Sequence, residues 1–211
     1  MTSFTSSLIH SGWLRRSNLI AALTFAASVL AVSTRSEAKI VYTAVDVTAN
    51  SGHIKFDLNH DGIKDFDIQA AANAVYCGTG GGVHGVVTIT PTNGNGVVVS
   101  GGFLAAALGS GISVGPALAF QKYQSLMTNF LLSRGCGGSY RDGNWCSGFI
   151  YYCSRTAYLG LKFVVNGQTH YGWAYVIVSG SITSGLTVTL RGFAYETIAG
   201  YAITTGQTSG T

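Results

Sequence analysis

Tyr158-Leu159-Gly160-Leu161-Lys162-Phe163-Val164-Val165, then Asn166-Gly167, then Gln168-Thr169-His170-Tyr171-Gly172-Trp173-Ala174-Tyr175-Val176-Ile177-Val178 is the stretch that decides the fold class. Large apolar side chains recur at every second position on both sides of the Asn-Gly pair. That is the period of a strand, where successive side chains point to opposite faces. Leu159, Leu161 and Phe163 are therefore expected on one face of the first strand. Tyr171, Trp173, Tyr175 and Ile177 share a face of the second. Asn-Gly accepts the positive φ values of a type I′ turn, whose twist matches the strands it joins, so the segment predicts a β-hairpin.

The same alternation extends outward. Leu186 to Tyr195 reads as a further strand after the turn-rich Ser179 to Gly185, and Ile40–Val47, Ile54–Leu58, Phe66–Ala70, Val86–Thr90 and Val97–Ser100 are strand-like upstream. Short strands separated by Gly, Asn and Ser turns predict an all-β fold, an antiparallel sandwich of jelly-roll or lectin-like kind. Phe103 to Ala119 is apolar, but Gly109, Gly111, Gly115 and Pro116 interrupt it, so turn and strand are expected there rather than a membrane span. Phe120, Tyr123, Met127, Phe130 and Leu131 fall near helical spacing, which predicts one short helix at about 119–132.

The chain has 211 residues, 47% hydrophobic and only 9% charged, with 29 glycines and 2 prolines. It is too apolar for a solvated coil and too poor in proline for collagen, and its length suits one sizeable core. Arg15-Arg16 precede the uncharged run Leu19 to Val32, shorter than the roughly 20 residues a membrane span requires, and Ser36-Glu37-Ala38 supplies a cleavage-like site. Residues 1–38 are thus expected to be a signal peptide and 39–211 a single β-sandwich domain, secreted or at the cell surface, with no stable membrane span after cleavage. Beyond Ala38 there are 9 Lys and Arg against 7 Asp and Glu, scattered singly. A nucleic-acid partner is not expected, because neutralising phosphates needs a clustered basic stripe.

Cys77, Cys136, Cys146 and Cys153 make an even count, which in an exported chain points to two disulfides. The expected pairs are Cys136 with Cys146, closing the polar loop Gly137 to Trp145, and Cys77 with Cys153. No C-x-x-C pair and no neighbouring histidine supports a zinc site instead.

Asp57-Leu58-Asn59-His60-Asp61-Gly62-Ile63-Lys64-Asp65 is the segment richest in chemistry. Asp57, Asn59 and Asp61 alternate side-chain oxygens, Gly62 permits a sharp turn, and Asp65 returns a further carboxylate. Calcium takes about six to eight oxygens, and the Ile63 carbonyl would add one, with Asp67 in reserve. Three carboxylates so close repel one another, and a divalent cation relieves that repulsion. Ile68 stands where an EF-hand places its bidentate Glu, and the flanks Ile54 to Phe56 and Phe66 to Ile68 look extended. The expectation is a strand-loop-strand calcium clip with Asp57, Asn59, Asp61, Ile63 and Asp65 as ligands and His60 facing solvent. The alternative is an Asx-rich turn without an ion.

Other candidate sites are sparse. Outside this loop and Asp67, only Asp46, Asp142 and Glu196 remain as acids beyond the leader, so a paired-carboxylate hydrolase would rest on Asp142 with Glu196. His170 reads as a strand histidine bonded to a carbonyl or to Glu196 rather than as a general base. There is no G-x-S-x-G elbow. Gly78 to Gly85 lacks the lysine and following helix of a phosphate cradle and reads as a flexible loop. Trp145, Tyr151 and Tyr152 are candidates to stack on sugar rings, while Trp173 is expected in the core.

Tyr158 to Phe163, His170-Tyr171-Gly172-Trp173 and Ala194-Tyr195-Glu196-Thr197 with Gly200 and Ile203 to Gly206, together with the D-x-N-x-D-G-x-x-D-F loop, resemble a widespread group of uncharacterised bacterial exported proteins. The resemblance implies export and a β-rich body but no particular activity. In that group the C-terminus often continues into a sorting tail, and none is expected from the residues up to Thr211. The leading functional expectation is a secreted, calcium-stabilised structural, adhesive or matrix-associated protein. An extracellular carbohydrate-binding module, with a polysaccharide partner, is the second and a secreted hydrolase the third.

Overall fold

The computed structural model describes residues 39–78, 80–134, 139–147 and 152–210, so the expected signal peptide lies outside the described residues. In chain order the strands are β1 (Ile40–Ala49), β2 (Gly52–Phe56), β3 (Phe66–Cys77), β4 (Gly80–Pro91), β5 (Gly96–Val98), β6 (Ser113–Val114), β7 (Phe120–Gln121), β8 (Ser125–Arg134), β9 (Tyr140–Gly143), β10 (Tyr152–Val165), β11 (Gln168–Ser181), β12 (Gly185–Glu196) and β13 (Ile203–Thr204). The described residues contain no helix, and the fold is an all-β sandwich of antiparallel sheets. No helix among them is long and apolar enough to cross a membrane.

One sheet has the order β1-β12-β11-β10-β5-β7, the other β2-β3-β4-β8-β9. The hairpin predicted from Asn166-Gly167 joins β10 to β11: both residues have positive φ, 50° and 77°, and Val165 faces Gln168 across the turn. Leu159, Leu161 and Phe163 point inward and are fully buried with Val176, Val178 and Leu190. Ile68, Val87, Ile89, Phe130 and Leu132 of the other sheet belong to the same core. Burying each such side chain contributes about 1.5–3 kcal/mol, so this seam is the main source of stability.

A second apolar layer covers the outer face of the six-stranded sheet. Val98, Ala106, Val114 and Ile203 pack with Tyr171, Trp173 and Ala194 of that face. The cover is built from the Phe103–Ala119 stretch, which is turn and short strand as its glycines predict, and from the C-terminal β13, paired with β6. Leu108 bridges to Tyr158, and the Trp173 indole donates to the Gln207 carbonyl at 3.1 Å.

The helix expected at 119–132 is not formed; β7 and β8 occupy that segment. The reason is a β-bulge. Thr128 faces Val87 and Leu126 faces Thr88, which leaves Met127 without a partner and shifts the inward parity of β8 by one. Met127, Phe130 and Leu132 are all fully buried, and the bulge places the first two three residues apart, a spacing that imitates one helical turn. The glycine-rich 78–85 also differs from the loop expected, because β4 starts at Gly80. A Cβ on Gly85 would collide with the Phe130 ring, and one on Gly180 of the opposite sheet would lie 2.8 Å from that ring's tip. The two glycines thus form a slot for Phe130 between the sheets.

Candidate metal centre

Residues 57–65 join β2 to β3. Phe56 and Phe66 close the ladder and stack at 5.4 Å between ring centroids, and the Asp65 N–H donates to the Phe56 carbonyl at 3.0 Å. Both flanks are extended, as the apolar alternation predicts. His60 and Gly62 turn the chain with φ of 62° and 89°. Asp57 accepts the N–H groups of Asp61 (3.2 Å) and Gly62 (2.7 Å), and Asp61 accepts those of Ile63 (2.8 Å) and the Asn59 side chain (3.0 Å). Asp65 accepts the Leu58 N–H at 2.8 Å. These bonds are the Asx-turn chemistry that shapes the loop.

A residue that sequence reasoning missed completes the loop. Asn95, buried in the turn between β4 and β5, donates from Nδ2 to Asp65 Oδ1 at 2.9 Å. The backbone of that turn is stitched to the loop as well: the Thr92 N–H donates to the Asp65 carbonyl at 2.9 Å, and the Thr92 hydroxyl donates to the Lys64 carbonyl. Asn93-Gly94 marks the turn in the sequence, but nothing local ties Asn95 to a carboxylate 30 positions away.

The electrostatics are uneven. Burial pushes the Asp65 carboxyl above its ordinary pKa; the Leu58 N–H and the Asn95 amide oppose this, and the negative charges of Asp57 and Asp61 add to it. Asp61, exposed, is held below the usual range by the Ile63 N–H and the Asn59 amide. Asp57 and Asp65 are both buried carboxylates, and a buried charge is costly unless something positive faces it.

Asn59 Oδ1 is buried and has no hydrogen-bond partner, one of only two such side-chain atoms among the described residues. Its orientation is fixed, since exchanging the amide's O and N would set an oxygen against Asp61 Oδ2. A carbonyl oxygen only accepts, so what it lacks is a donor or a cation. Each carboxylate oxygen that takes one N–H keeps a second acceptor site. No group of three His, Cys, Asp or Glu side chains among the described residues forms a metal-holding set by itself, so a cation here would depend on Asn59, a main-chain carbonyl and water as well.

Ile63 is exposed at the loop's outer end. Asp67, held in reserve as a ligand, is turned away by strand alternation: its carboxylate pairs with His53 at 2.9 Å and with Lys55 at 4.0 Å. His60 is exposed as expected and also meets the Thr43 hydroxyl at 2.7 Å. A cavity of about 390 Å³ lies beside the loop, lined in part by Thr43, Phe56, Asp57, His60 and Phe193.

The remaining candidates fall elsewhere. Trp145 has 0% exposure and its indole N–H donates to the Ala105 carbonyl at 3.2 Å, so it offers no face to a ligand; the expected stacking role is corrected by its burial. Tyr152 is 62% exposed, and Tyr151 lies outside the described residues. Cys146 bonds Cys153 rather than Cys136, which overturns both expected pairings. Ser147 and Ser154 face each other across an antiparallel bridge, which brings the Cα atoms of Cys146 and Cys153 to 4.9 Å. Cys136 lies outside the described residues. His170 is buried with Nδ1 at 3.0 Å from the Glu196 main-chain carbonyl, the strand-histidine arrangement expected of it. The Glu196 carboxylate accepts the Ile198 N–H, while Asp142 belongs to β9 of the other sheet. Neither acid lines the cavity.

Comparison of the chain with protein-family models, with curated proteins and with solved structures returns no match.

Proposed function

We propose that the chain is an exported structural, adhesive or matrix-associated protein whose β2–β3 loop takes calcium as a structural ion. The supporting observation is Asn59 Oδ1, a buried acceptor without a donor, set among three carboxylates in a D-x-N-x-D-G-x-x-D order. A bound cation supplies the positive partner that this atom and the buried Asp57 and Asp65 lack. Asp57, Asn59, Asp61, Asp65 and the Ile63 carbonyl are the ligands in this reading, with water completing the shell. The Cys146–Cys153 bond and the leader-like N-terminus support an oxidising, extracytoplasmic setting, where calcium is abundant enough for an affinity of roughly 10⁻⁴ to 10⁻³ M.

The test is thermal unfolding with calcium and with chelator. Chelator is expected to lower the melting temperature of the wild type, and Asp61→Ala in calcium should melt like the chelated wild type and ignore chelator. A wild-type curve that chelator never moves would rule out the ion.

A second reading, an extracellular carbohydrate-binding module, is favoured by a partly exposed row of tyrosines on the six-stranded sheet.

A further inference from the structure

The second apolar layer covers only part of the outer face of the six-stranded sheet. At its border, rings from three strands meet. Tyr158 of β10 lies 4.8 Å from Tyr175 of β11 and edge-on to Trp173 at 5.2 Å, and Tyr42 of β1 lies 5.8 Å from Trp173. Trp173 is buried beneath, Tyr158 and Tyr175 are half-buried, and Tyr42 is 42% exposed.

The position of Tyr42 depends on a missing side chain. Gly192 of β12 faces Ala44 on one side and Tyr175 on the other. A Cβ there would stand 2.8 Å from the Tyr42 hydroxyl and 2.9 Å from its ring, so the ring lies across the strand in the space glycine leaves. Among the described residues the hydroxyls of Tyr42 and Tyr175 have no hydrogen-bond partner, whereas that of Tyr158 is held by Ser110. Next along the chain, β1 and β12 are both bulged, and the bulge brings Asp46 to Arg191 at 2.7 Å. Beyond it the face continues with the hydroxyl pair Thr48–Thr189 and with Thr187 bonded to Asn50.

This set has a specific chemistry. Aromatic faces attract the C–H face of a sugar ring, and unpartnered phenol hydroxyls, amides and threonines match sugar hydroxyls. Among the described residues the ion pair on the patch, Asp46 with Arg191, neutralises itself, so its charge does not favour an anion. We propose that the Tyr42–Tyr175–Tyr158 face binds a neutral oligosaccharide, with Tyr42 as the stacking ring and Gly192 as the residue that lets it lie flat. The site replaces the buried Trp145 as the aromatic contact. It rests on the carbohydrate-binding reading and does not require the calcium ion.

The test is affinity electrophoresis of the full protein, in calcium, through native gels containing a mannan, a β-glucan, an arabinan, starch or the acidic polysaccharide alginate. Retardation by at least one neutral polysaccharide is expected. Tyr42→Ala should weaken it about tenfold, the loss of one stacking contact, and Tyr42→Phe should keep most of it. Gly192→Ala should weaken it comparably by displacing the ring. Because that Cβ meets mainly the mobile end of a surface tyrosine, its melting temperature should stay close to wild type. Asp61→Ala below its melting temperature should bind like wild type, which separates this site from the ion. No retardation by any neutral polysaccharide, retardation by alginate alone, or variants that bind unchanged while folded would overturn the proposal.

Discussion

Asn95 donates from Nδ2 to Asp65 Oδ1 at 2.9 Å and, through its own Oδ1, accepts the N–H of Val164 at 3.1 Å. One buried amide therefore ties the loop between β2 and β3, in one sheet, to the end of β10 in the other. Side-chain amides of this kind commonly orient a ligating carboxylate, and here the same group also holds the hairpin that defines the six-stranded sheet.

Asn95→Ala leaves a buried carboxylate oxygen and a part-buried main-chain N–H without this partner. At about 1–3 kcal/mol each, less whatever water recovers, the expected loss is about 2–4 kcal/mol in urea unfolding. If the loop takes calcium as proposed, its affinity should fall as well, since Asp65 loses the Asn95 donor. A variant as stable as wild type would mean that water replaces both bonds without cost.

The disulfide makes a second expectation. Cys146 and Cys153 close a ring of only a few residues, for which the chain-entropy relation gives about 2–3 kcal/mol. The double replacement Cys146→Ser with Cys153→Ser should cost that much in chemical unfolding. Mapping of unreduced peptides should return Cys146 joined to Cys153. Recovery of Cys136 with Cys146 would refute the arrangement.

What could be read from the sequence follows from how local the signal is. The β10–β11 hairpin was legible because its alternation and its Asn-Gly turn are contiguous, and the extended flanks of the 57–65 loop because their apolar residues are contiguous too. Burial of Leu159, Leu161 and Phe163 on one face followed directly. Met127 misled because a bulge depends on the partner strand: read alone, Met127 and Phe130 look like one turn of helix. Trp145 sits among polar residues in sequence, yet the carbonyl that accepts its N–H comes from Ala105, 40 positions earlier. Asn95 and the Tyr42–Gly192 contact were invisible for the same reason, since both exist only after distant strands have found their register.

The last expectation concerns alkaline pH. Tyr195 of β12 packs edge-on against Phe163 at 5.3 Å, and burial raises its phenol above the ordinary tyrosine value of about 10. A raised folded-state pKa means that the native chain holds this proton more tightly than the unfolded chain. The stabilisation is fully present below the unfolded value and is lost as pH rises past it and through the folded value. Stability should therefore decline on the alkaline side as the unfolded state gains by ionising first. Tyr195→Phe keeps the ring and removes the proton, so its unfolding free energy should fall less steeply over that range, measured by urea unfolding at stepped pH. Tyr158, also raised by burial and then by the neighbouring Tyr175, would sustain part of the decline in that variant. An identical slope in Tyr195→Phe and wild type would show that the Tyr195 hydroxyl ionises as readily in the fold as in the open chain.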